Sequence, residues 1–186
     1  DNPDLLNIFP KDLPVLYLDH LTALPVKINY DTPETLGVDR IAAVVAANHL
    51  FPENNILVIE SGTCITYDFV DKNGVYQGGS ISPGMDLRFK ALHNFTDNLP
   101  LVEPIKNIIL EGKSTKESIQ SGVLNGIIAE MQGIISMYEV NYENLTIILS
   151  GGNREYFDKN LKNNIFAVPN IVLRGLNIIL DFNDKN

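Results

Sequence analysis

Residues 55–81 restrict the fold of this chain more than any other segment, because they predict three consecutive strands joined by glycine-containing turns. Asn55–Ile59 is a short apolar run, and Cys64–Asp71 and Gly74–Ile81 are rich in residues that favour strands. The connection Asp71-Lys72-Asn73-Gly74 contains Asn-Gly, which is typical of a tight β-hairpin. The segment therefore predicts a sheet that contains an antiparallel hairpin.

Helical and strand patterns alternate in the rest of the chain. Before this segment the sequence predicts a strand, or the end of one, at Leu13–Leu18, a strand at Pro25–Tyr30 and a helix at Ile41–Leu50. After it we expect, in order, a helix through Phe95, a long helix capped by Ser114 or Thr115, a strand at Leu145–Leu149, a helix to about Leu161, a strand at Ile165–Val168 and a helix from Ile171 to Phe182. This order is typical of the α/β class. A boundary near Pro52–Asn55 divides the chain into two predicted domains, 1–53 and 54–186.

Composition and charge limit the functional classes. The 186 residues include 14 Lys and Arg against 23 Asp and Glu, a formal net charge of −9 at pH 7. That balance argues against a general binder of nucleic acid or of an anionic membrane, and no apolar run is long enough to cross a membrane. A single cysteine cannot form an internal disulfide, which fits a cytoplasmic location. The three histidines share no ligand spacing, so we expect no zinc site.

The first of two candidate functional stretches is Gly37-Val38-Asp39-Arg40. A carboxylate and a guanidinium stand here at the start of a helix, where they can bind a hydroxyl group and an anion. An acid at a helix N-terminus also stabilises the helix by itself, so a purely structural role is the alternative. Gly37 lets a ligand or another backbone come close, which favours a functional role.

The second candidate stretch is Glu60-Ser61-Gly62-Thr63, considered with Thr66 and Asp68 on the next strand. It follows an apolar strand and offers backbone N–H groups and a hydroxyl to a phosphate. The alternative is a plain turn between two strands. Glu60 has no cationic partner in the adjoining strand, and a bare carboxylate at a buried strand end is costly, which favours a bound ion. Ser150-Gly151-Gly152 after a later strand is a weaker sign of a nucleotide site.

Together these stretches resemble the type III pantothenate kinases. The matching motifs are, in chain order, Tyr30 with the run from Thr32 to Arg40, Val58-Ile59-Glu60-Ser61-Gly62-Thr63, Gly78-Gly79-Ser80-Ile81-Ser82-Pro83-Gly84, Thr115 with Ile119-Gln120-Ser121-Gly122, Ser150-Gly151-Gly152, and Leu173-Arg174-Gly175-Leu176. The resemblance extends from about Pro25 to the C-terminus, and the combination is specific although each motif alone is not.

The resemblance implies a fold and a reaction. The fold is α/β and ribonuclease-H-like (actin-like ATPase), with the second of two duplicated domains complete and the first partial. The reaction is ATP-dependent phosphorylation of pantothenate to 4'-phosphopantothenate, the first step of coenzyme A biosynthesis. The implied cofactors are ATP, magnesium and a monovalent cation, potassium or ammonium. The implied assembly is a cytoplasmic homodimer that binds pantothenate and ATP and neither nucleic acid nor membrane.

The resemblance also assigns roles to individual residues. Asp39 is the implied catalytic base for the pantothenate hydroxyl. The remaining implied positions are Gly37, Val38 and Arg40 in the substrate loop, Tyr30 and Thr115 as further contacts to pantothenate, Thr63 as a contact to an ATP phosphate, and Glu60 as the ligand of the monovalent cation.

Two departures from the family pattern affect these expectations. The family's opening Asp-x-Gly-Asn-Thr strand, which contacts the ATP phosphates, has no match here, so we expect the 186-residue chain on its own to be inactive. The cation-site acid, usually Asp, is Glu60.

Two other functions stay open: a non-catalytic relative with a regulatory or accessory role, and another actin-fold kinase that acts on a sugar or acetate. An intact Asp39-Arg40 pair argues against the non-catalytic relative. The Gly37–Arg40 and Thr115–Gly122 motifs argue against the sugar or acetate kinase.

Overall fold

The computed structural model describes residues 10, 14–161 and 165–184, whose strands form a six-stranded sheet. The strands are β1 (Lys27–Ile28), β2 (Asn55–Ser61), β3 (Cys64–Val70), β4 (Val75–Pro83), β5 (Leu145–Ser150) and β6 (Ile165–Ala167). The helices are α1 (Val38–Leu50), α2 (Met85–Asn94), α3 (Thr115–Asn141) and α4 (Ile171–Asp184). Short 3-10 turns occur at Pro33–Thr35 and Arg154–Tyr156.

The sheet combines an antiparallel meander with parallel strands. Its strand order is β1-β4-β3-β2-β5-β6. The strands β2, β3 and β4 pair antiparallel, whereas β5 and β6 run parallel to β2 on its other side and β1 runs parallel to β4. Parallel neighbours need a crossover connection, and the segment that holds α2 and α3 carries the chain from β4 to β5. The predicted α/β class is therefore confirmed.

Alternate side chains of the central strand β2 enter two separate cores. Leu57 and Ile59 pack with α2 and α3, whereas Ile56 and Val58 pack with α1 and α4. All four side chains are fully buried, as expected of a central strand that is covered on both faces. Because strand side chains alternate with a period of two, Glu60 at the end of β2 belongs to the face that carries α1 and α4.

Two turn predictions are confirmed by their hydrogen bonds. In the hairpin between β3 and β4, Asp71 Oδ1 accepts the N–H of Asn73 at 2.9 Å and that of Val75 at 3.1 Å, and Gly74 has a φ of +71°. At the start of α3, the Ser114 hydroxyl oxygen accepts the N–H of Glu117 at 3.2 Å. Ser114 is therefore the cap, because it satisfies a backbone donor that the helix leaves free.

The helix predicted up to Leu161 is wrong. After β5 the chain forms only the 3-10 turn at Arg154–Tyr156, followed by further turns. The N–H of Asn153 donates to the carbonyl oxygen of Ser61 at 3.0 Å, and Phe157 is completely buried in the core under α3. These tertiary contacts fix the backbone here, and local helix propensity is too weak to overrule them.

The N-terminal strand predictions are only partly correct. The strand predicted at Leu13–Leu18 is wrong over residues 14–18, which lie in no strand, and Leu13 falls outside the described residues. The strand predicted at Pro25–Tyr30 is reduced to Lys27–Ile28. Backbone hydrogen bonds to β4 hold it at the sheet edge, from the N–H of Lys27 to Gly74 at 3.0 Å and from the N–H of Asn29 to Tyr76 at 2.9 Å.

Helices α1 and α4 pack so closely that their backbones touch at a glycine. A Cβ added to Gly175 would lie 1.8 Å from the carbonyl oxygen of Ala42, so no larger residue fits without separating the helices. The contact joins a helix of the predicted domain 1–53 to a helix of the predicted domain 54–186, and β1 likewise pairs with β4 across that boundary. The division into these two domains stays a prediction.

We expect Gly175→Ala to lower the free energy of unfolding by about 1–3 kcal/mol, the usual cost of overpacking a tight interface. Gly133→Ala is the matched control, because it is the same substitution in the interior of α3 at a site where an added Cβ meets nothing within 4 Å. That control should gain up to about 1 kcal/mol from higher helix propensity. Urea unfolding followed by circular dichroism measures both, and equal stabilities would contradict the proposed steric role of Gly175.

Candidate functional site

Asp39 presents an exposed carboxylate in the first turn of α1. Its Oδ1 accepts the backbone N–H of Arg40 at 3.0 Å. A Cβ on Gly37 would lie 2.5 Å from this oxygen, so the glycine before the helix makes room for the carboxylate. Val38 between them is 45 % exposed and leaves the approach to Asp39 open. The carboxylate is thus oriented by the backbone and still accessible to a ligand.

Arg40 points inward and pairs with Asp68 of β3. The residue is only 7 % exposed, its Nε donates to Asp68 Oδ1 at 2.9 Å, and its Nη2 lies 2.6 Å from the same oxygen. Burial by itself lowers the pKa of the Arg40 guanidinium, but the hydrogen bond and the negative charge of Asp68 outweigh it and raise that pKa above its ordinary value. The predicted substrate-loop arginine is therefore held in a buried ion pair.

Two tyrosines extend this pair. The Tyr76 hydroxyl donates to Asp68 Oδ1 at 2.8 Å, and the ring of Tyr30 lies against that of Tyr76 with centroids 6.1 Å apart. Burial first, and then the charge of Asp68 and the hydrogen bond to it, raise the pKa of the Tyr76 hydroxyl, so it stays a proton donor. The structure thus brings the predicted residues Tyr30 and Arg40 together. We call Arg40, Asp68 and Tyr76 the Arg40 cluster.

We assigned no role to Asp68 from the sequence, although we considered this residue with the second candidate stretch, and we did not consider Tyr76. For Asp68 there is a sequence signal, a charged residue inside the otherwise apolar second half of β3. For Tyr76 there is none, because its direction depends on a β-bulge. Asp68 pairs with Gly79 while Val70 pairs with Tyr76, and Gly78 between them has a φ of +94°. The extra residue in β4 turns Tyr76 onto the sheet face that carries Asp68.

Glu60 is half-buried at the end of β2, between Thr66 of β3 and Ser150 of β5. Burial raises the pKa of its carboxyl group, and the negative charges of Asp39 and Asp68 raise it further. Among the residues that the structure describes, no Lys, Arg or His forms an ion pair with Glu60. A bound cation would offset this unfavourable charge, so the surroundings of Glu60 fit its predicted role as a cation ligand.

Glu60 also lines a cleft of about 260 Å³ between the ends of β2 and β5 and the start of α4. Gly151 has a φ of +93°, and a Cβ on it would lie 2.3 Å from the carbonyl oxygen of Ser61, so glycine is needed where β5 leaves the sheet. The N-terminus of a 14-residue helix beside small residues favours an anion. The lining residues are Glu60, Ser150, Gly151, Gly152, Arg154 and 170–173.

The two predicted threonines lie in different places. Thr63 is exposed in the turn after β2, and its carbonyl oxygen accepts the N–H of Gly84 at 3.0 Å, which fixes the turn against the start of α2. Thr115 is exposed in the first turn of α3 and lines a groove with Arg88 between α2 and α3. Thr115 begins α3, whose core lies on one face of the sheet, whereas Asp39 begins α1 on the other face, so the two predicted residues lie on different sides of the sheet.

Two negative findings apply to residues 10, 14–161 and 165–184. No group of three or more His, Cys, Asp or Glu side chains there is arranged to hold a metal ion. No helix among them has the length and apolar character needed to cross a membrane.

Comparison with known proteins identifies the family. The family model for type III pantothenate kinase matches residues 5–137. The chain belongs to this family. The type III pantothenate kinase of Christiangramia forsetii is 52 % identical over 180 residues, which cover 97 % of this chain and 74 % of the relative. That of Phocaeicola vulgatus is 51 % identical over 171 residues, which cover 92 % of this chain and 71 % of the relative.

A solved structure supports the fold. A Campylobacter jejuni protein described as a Baf family transcriptional activator superimposes with a TM-score of 0.59 at 20 % identity, covering 87 % of this chain and 70 % of that one. At this level of identity the likeness concerns the fold alone. With the mixed sheet, it supports the predicted α/β architecture, and the ribonuclease-H-like (actin-like ATPase) assignment stays what the resemblance to the family implies.

The raised pKa of Glu60 predicts a pH dependence of stability. A raised pKa means that the native state binds this proton more tightly than the unfolded chain does. The contribution of Glu60 to stability therefore falls as pH rises from the ordinary glutamate value of about 4.3 through the raised pKa. We expect Glu60→Gln to remove this fall and to raise the melting temperature at pH 7 more than at pH 4.

Thermal unfolding between pH 4 and 7.5, in a buffer without potassium or ammonium, measures this difference. Glu103→Gln is the control, since Glu103 is an exposed glutamate remote from the Glu60 cleft. If both variants shift the melting temperature equally at every pH, folding does not raise the pKa of the Glu60 carboxyl group.

Proposed function

We propose that this protein phosphorylates pantothenate on its primary hydroxyl with ATP, which gives 4'-phosphopantothenate in the first step of coenzyme A biosynthesis. Family membership supports the reaction. The observation that carries the proposal is the state of Asp39, whose carboxylate is exposed at a helix start and oriented by the N–H of Arg40.

Asp39 acts as the general base in this proposal. One carboxylate oxygen is held by the backbone, and the other can accept the proton of the attacking hydroxyl. Phosphoryl transfer depends mainly on positioning and on neutralising charge, so a correctly placed carboxylate is the main chemical group that the protein must supply. The neighbouring positions Tyr30, Gly37, Val38 and Arg40 are proposed to form the pantothenate site. Thr115 is the remaining predicted contact.

On the nucleotide side, Thr63 and the glycine turns are proposed to hold the phosphates of ATP. The cleft beside Glu60, with Gly151, Gly152 and the N-terminus of α4, supports this because its backbone donors and helix dipole favour an anion. Magnesium, when bound with the nucleotide, neutralises charge on the phosphates. Glu60 is proposed to hold a monovalent cation, potassium or ammonium, which its uncompensated charge supports.

A cytoplasmic homodimer is the proposed assembly. The resemblance to the family supports it, together with an apolar groove of about 630 Å³ between α2 and α3 that a second subunit would cover. Size-exclusion chromatography with light scattering determines the oligomeric state directly.

We expect Asp39→Asn in the full-length protein to lower kcat by about a hundred- to ten-thousand-fold, because the amide keeps the size of the side chain and removes its basicity. Nucleotide binding and the circular dichroism spectrum should stay unchanged. A coupled assay of ADP release with pantothenate measures kcat. Turnover close to wild type would show that Asp39 is not the base. If the wild-type protein releases no ADP, the protein is a non-catalytic relative. If it releases ADP faster with a sugar or acetate than with pantothenate, it is the other actin-fold kinase.

We expect Glu60→Gln to weaken activation by potassium about tenfold or more, as loss of a ligand or its support commonly does. Glu60→Asp should keep the activation, because it retains the charge and restores the acid usual in the family. Turnover is measured against potassium, ammonium and sodium at constant ionic strength. Turnover that is independent of these ions in the wild type, and unchanged in Glu60→Gln, would make Glu60 a turn residue only.

A further inference from the structure

Asp68 has an unusual set of partners for a carboxylate in the middle of a strand. The residue is completely buried, and one oxygen, Oδ1, accepts hydrogen bonds from Arg40 Nε and from the Tyr76 hydroxyl. Arg40 Nη2 lies 2.6 Å from the same oxygen, but not in hydrogen-bonding alignment, so that contact is mainly electrostatic. The other oxygen, Oδ2, is buried without a hydrogen-bond partner among the described residues.

Stability alone does not account for this arrangement. Withdrawing two charges from water costs about as much as their attraction returns, and well-packed apolar residues often serve as well or better. An ion pair differs from apolar packing in its direction, because it holds the guanidinium in one orientation. The β-bulge at Gly78 serves the same contact, since it turns Tyr76 toward Asp68.

The Arg40 cluster connects the two halves of the proposed reaction site. Arg40 directly follows Asp39 in the first turn of α1, and its own N–H holds the Asp39 carboxylate. Asp68 lies on β3, which follows the end of β2 with Glu60 and the turn with Thr63. Anchoring Arg40 on Asp68 therefore sets the position of the proposed base relative to the proposed phosphate turn.

We propose that Asp68 is a positioning residue for phosphoryl transfer, acting through Arg40 and assisted by the Tyr76 hydroxyl. The inference rests on the proposed function, because it requires Asp39 to be the group that is positioned. Asp68 itself touches neither substrate in this proposal. Its loss lets the first turn of α1 move, and a displacement of about 1 Å between reacting groups can cost about a hundredfold in rate.

The test is a double-mutant cycle in the full-length protein. Asp68→Asn keeps the shape and one acceptor oxygen but removes the charge, and it should lower kcat about 10- to 100-fold with the KM for pantothenate within about threefold of wild type. In the Asp39→Asn background, where no base remains to be positioned, the same change should lower kcat less than about threefold further.

If the fold-decreases in kcat of Asp68→Asn and Asp39→Asn multiply in the double variant, the positioning role is overturned and the proposed function stays intact. Near-normal turnover of Asp39→Asn alone would instead overturn the proposed base, and the positioning role with it. The two failures are therefore distinguishable.

Glu130→Gln is the matched control. Glu130 on α3 also accepts hydrogen bonds from an arginine, Arg88, and from the Tyr67 hydroxyl at 2.9 Å. Tyr67 packs in the core on the sheet face opposite to the one that carries α1. The kcat of Glu130→Gln should stay within about twofold of wild type, as for a site outside the coupled group. If kcat falls equally in Glu130→Gln and Asp68→Asn, the loss of any carboxylate–arginine pair lowers kcat, and the proposal is overturned.

Tyr76→Phe keeps the proposal testable if circular dichroism shows that Asp68→Asn does not fold. It removes one donor to Asp68 and leaves the ion pair. We expect a fall of about three- to tenfold in kcat that disappears in the Asp39→Asn background. An unchanged kcat, or the same fall in both backgrounds, would overturn the role of the cluster.

Discussion

The buried ion pair between Arg40 and Asp68 sets how the helix with Asp39 stands on the sheet with Glu60. It ties the first turn of α1 to the middle of β3. Further along α1, the backbone of Ala42 rests directly on Gly175 of α4, so the helix is held from a second side by close packing. This double support lets Asp39 stay exposed for chemistry while the residue after it is almost completely buried.

The charge balance around this pair would favour the bound cations of the proposed function. Of the three neighbouring carboxylates Asp39, Glu60 and Asp68, only Asp68 forms an ion pair among the described residues, and the net charge of the whole chain is −9. Such a site repels a polyanion like ATP unless cations accompany it. The raised pKa of Glu60 is the local sign of the same imbalance. A monovalent cation at Glu60 and magnesium on the phosphates would correct it where the nucleotide arrives.

Much of the fold was predictable because its signals are local. The hairpin at Asn73-Gly74 and the cap at Ser114 depend on a few neighbouring residues, and both were predicted correctly. The segment after Gly152 was not, because a backbone bond to Ser61 and the burial of Phe157 decide its path. In α3, Ile134 is only half-buried whereas the next residue, Ile135, is completely buried, since the neighbouring elements set which side of the helix is covered.

By itself the sequence determined the candidate chemistry, because motifs such as Gly37-Val38-Asp39-Arg40 and Glu60-Ser61-Gly62-Thr63 carry their reactive groups within four residues. Contacts between distant segments were decided only by the tertiary structure. Arg40 was predicted as part of the substrate loop, and the structure shows that Asp68, 28 residues away, binds its guanidinium inside the protein. Tyr76 joins them because a one-residue bulge reverses the face that its side chain occupies. Pairing register and the packing of α1 on the sheet fix these contacts, and neither is encoded by any short stretch of the chain.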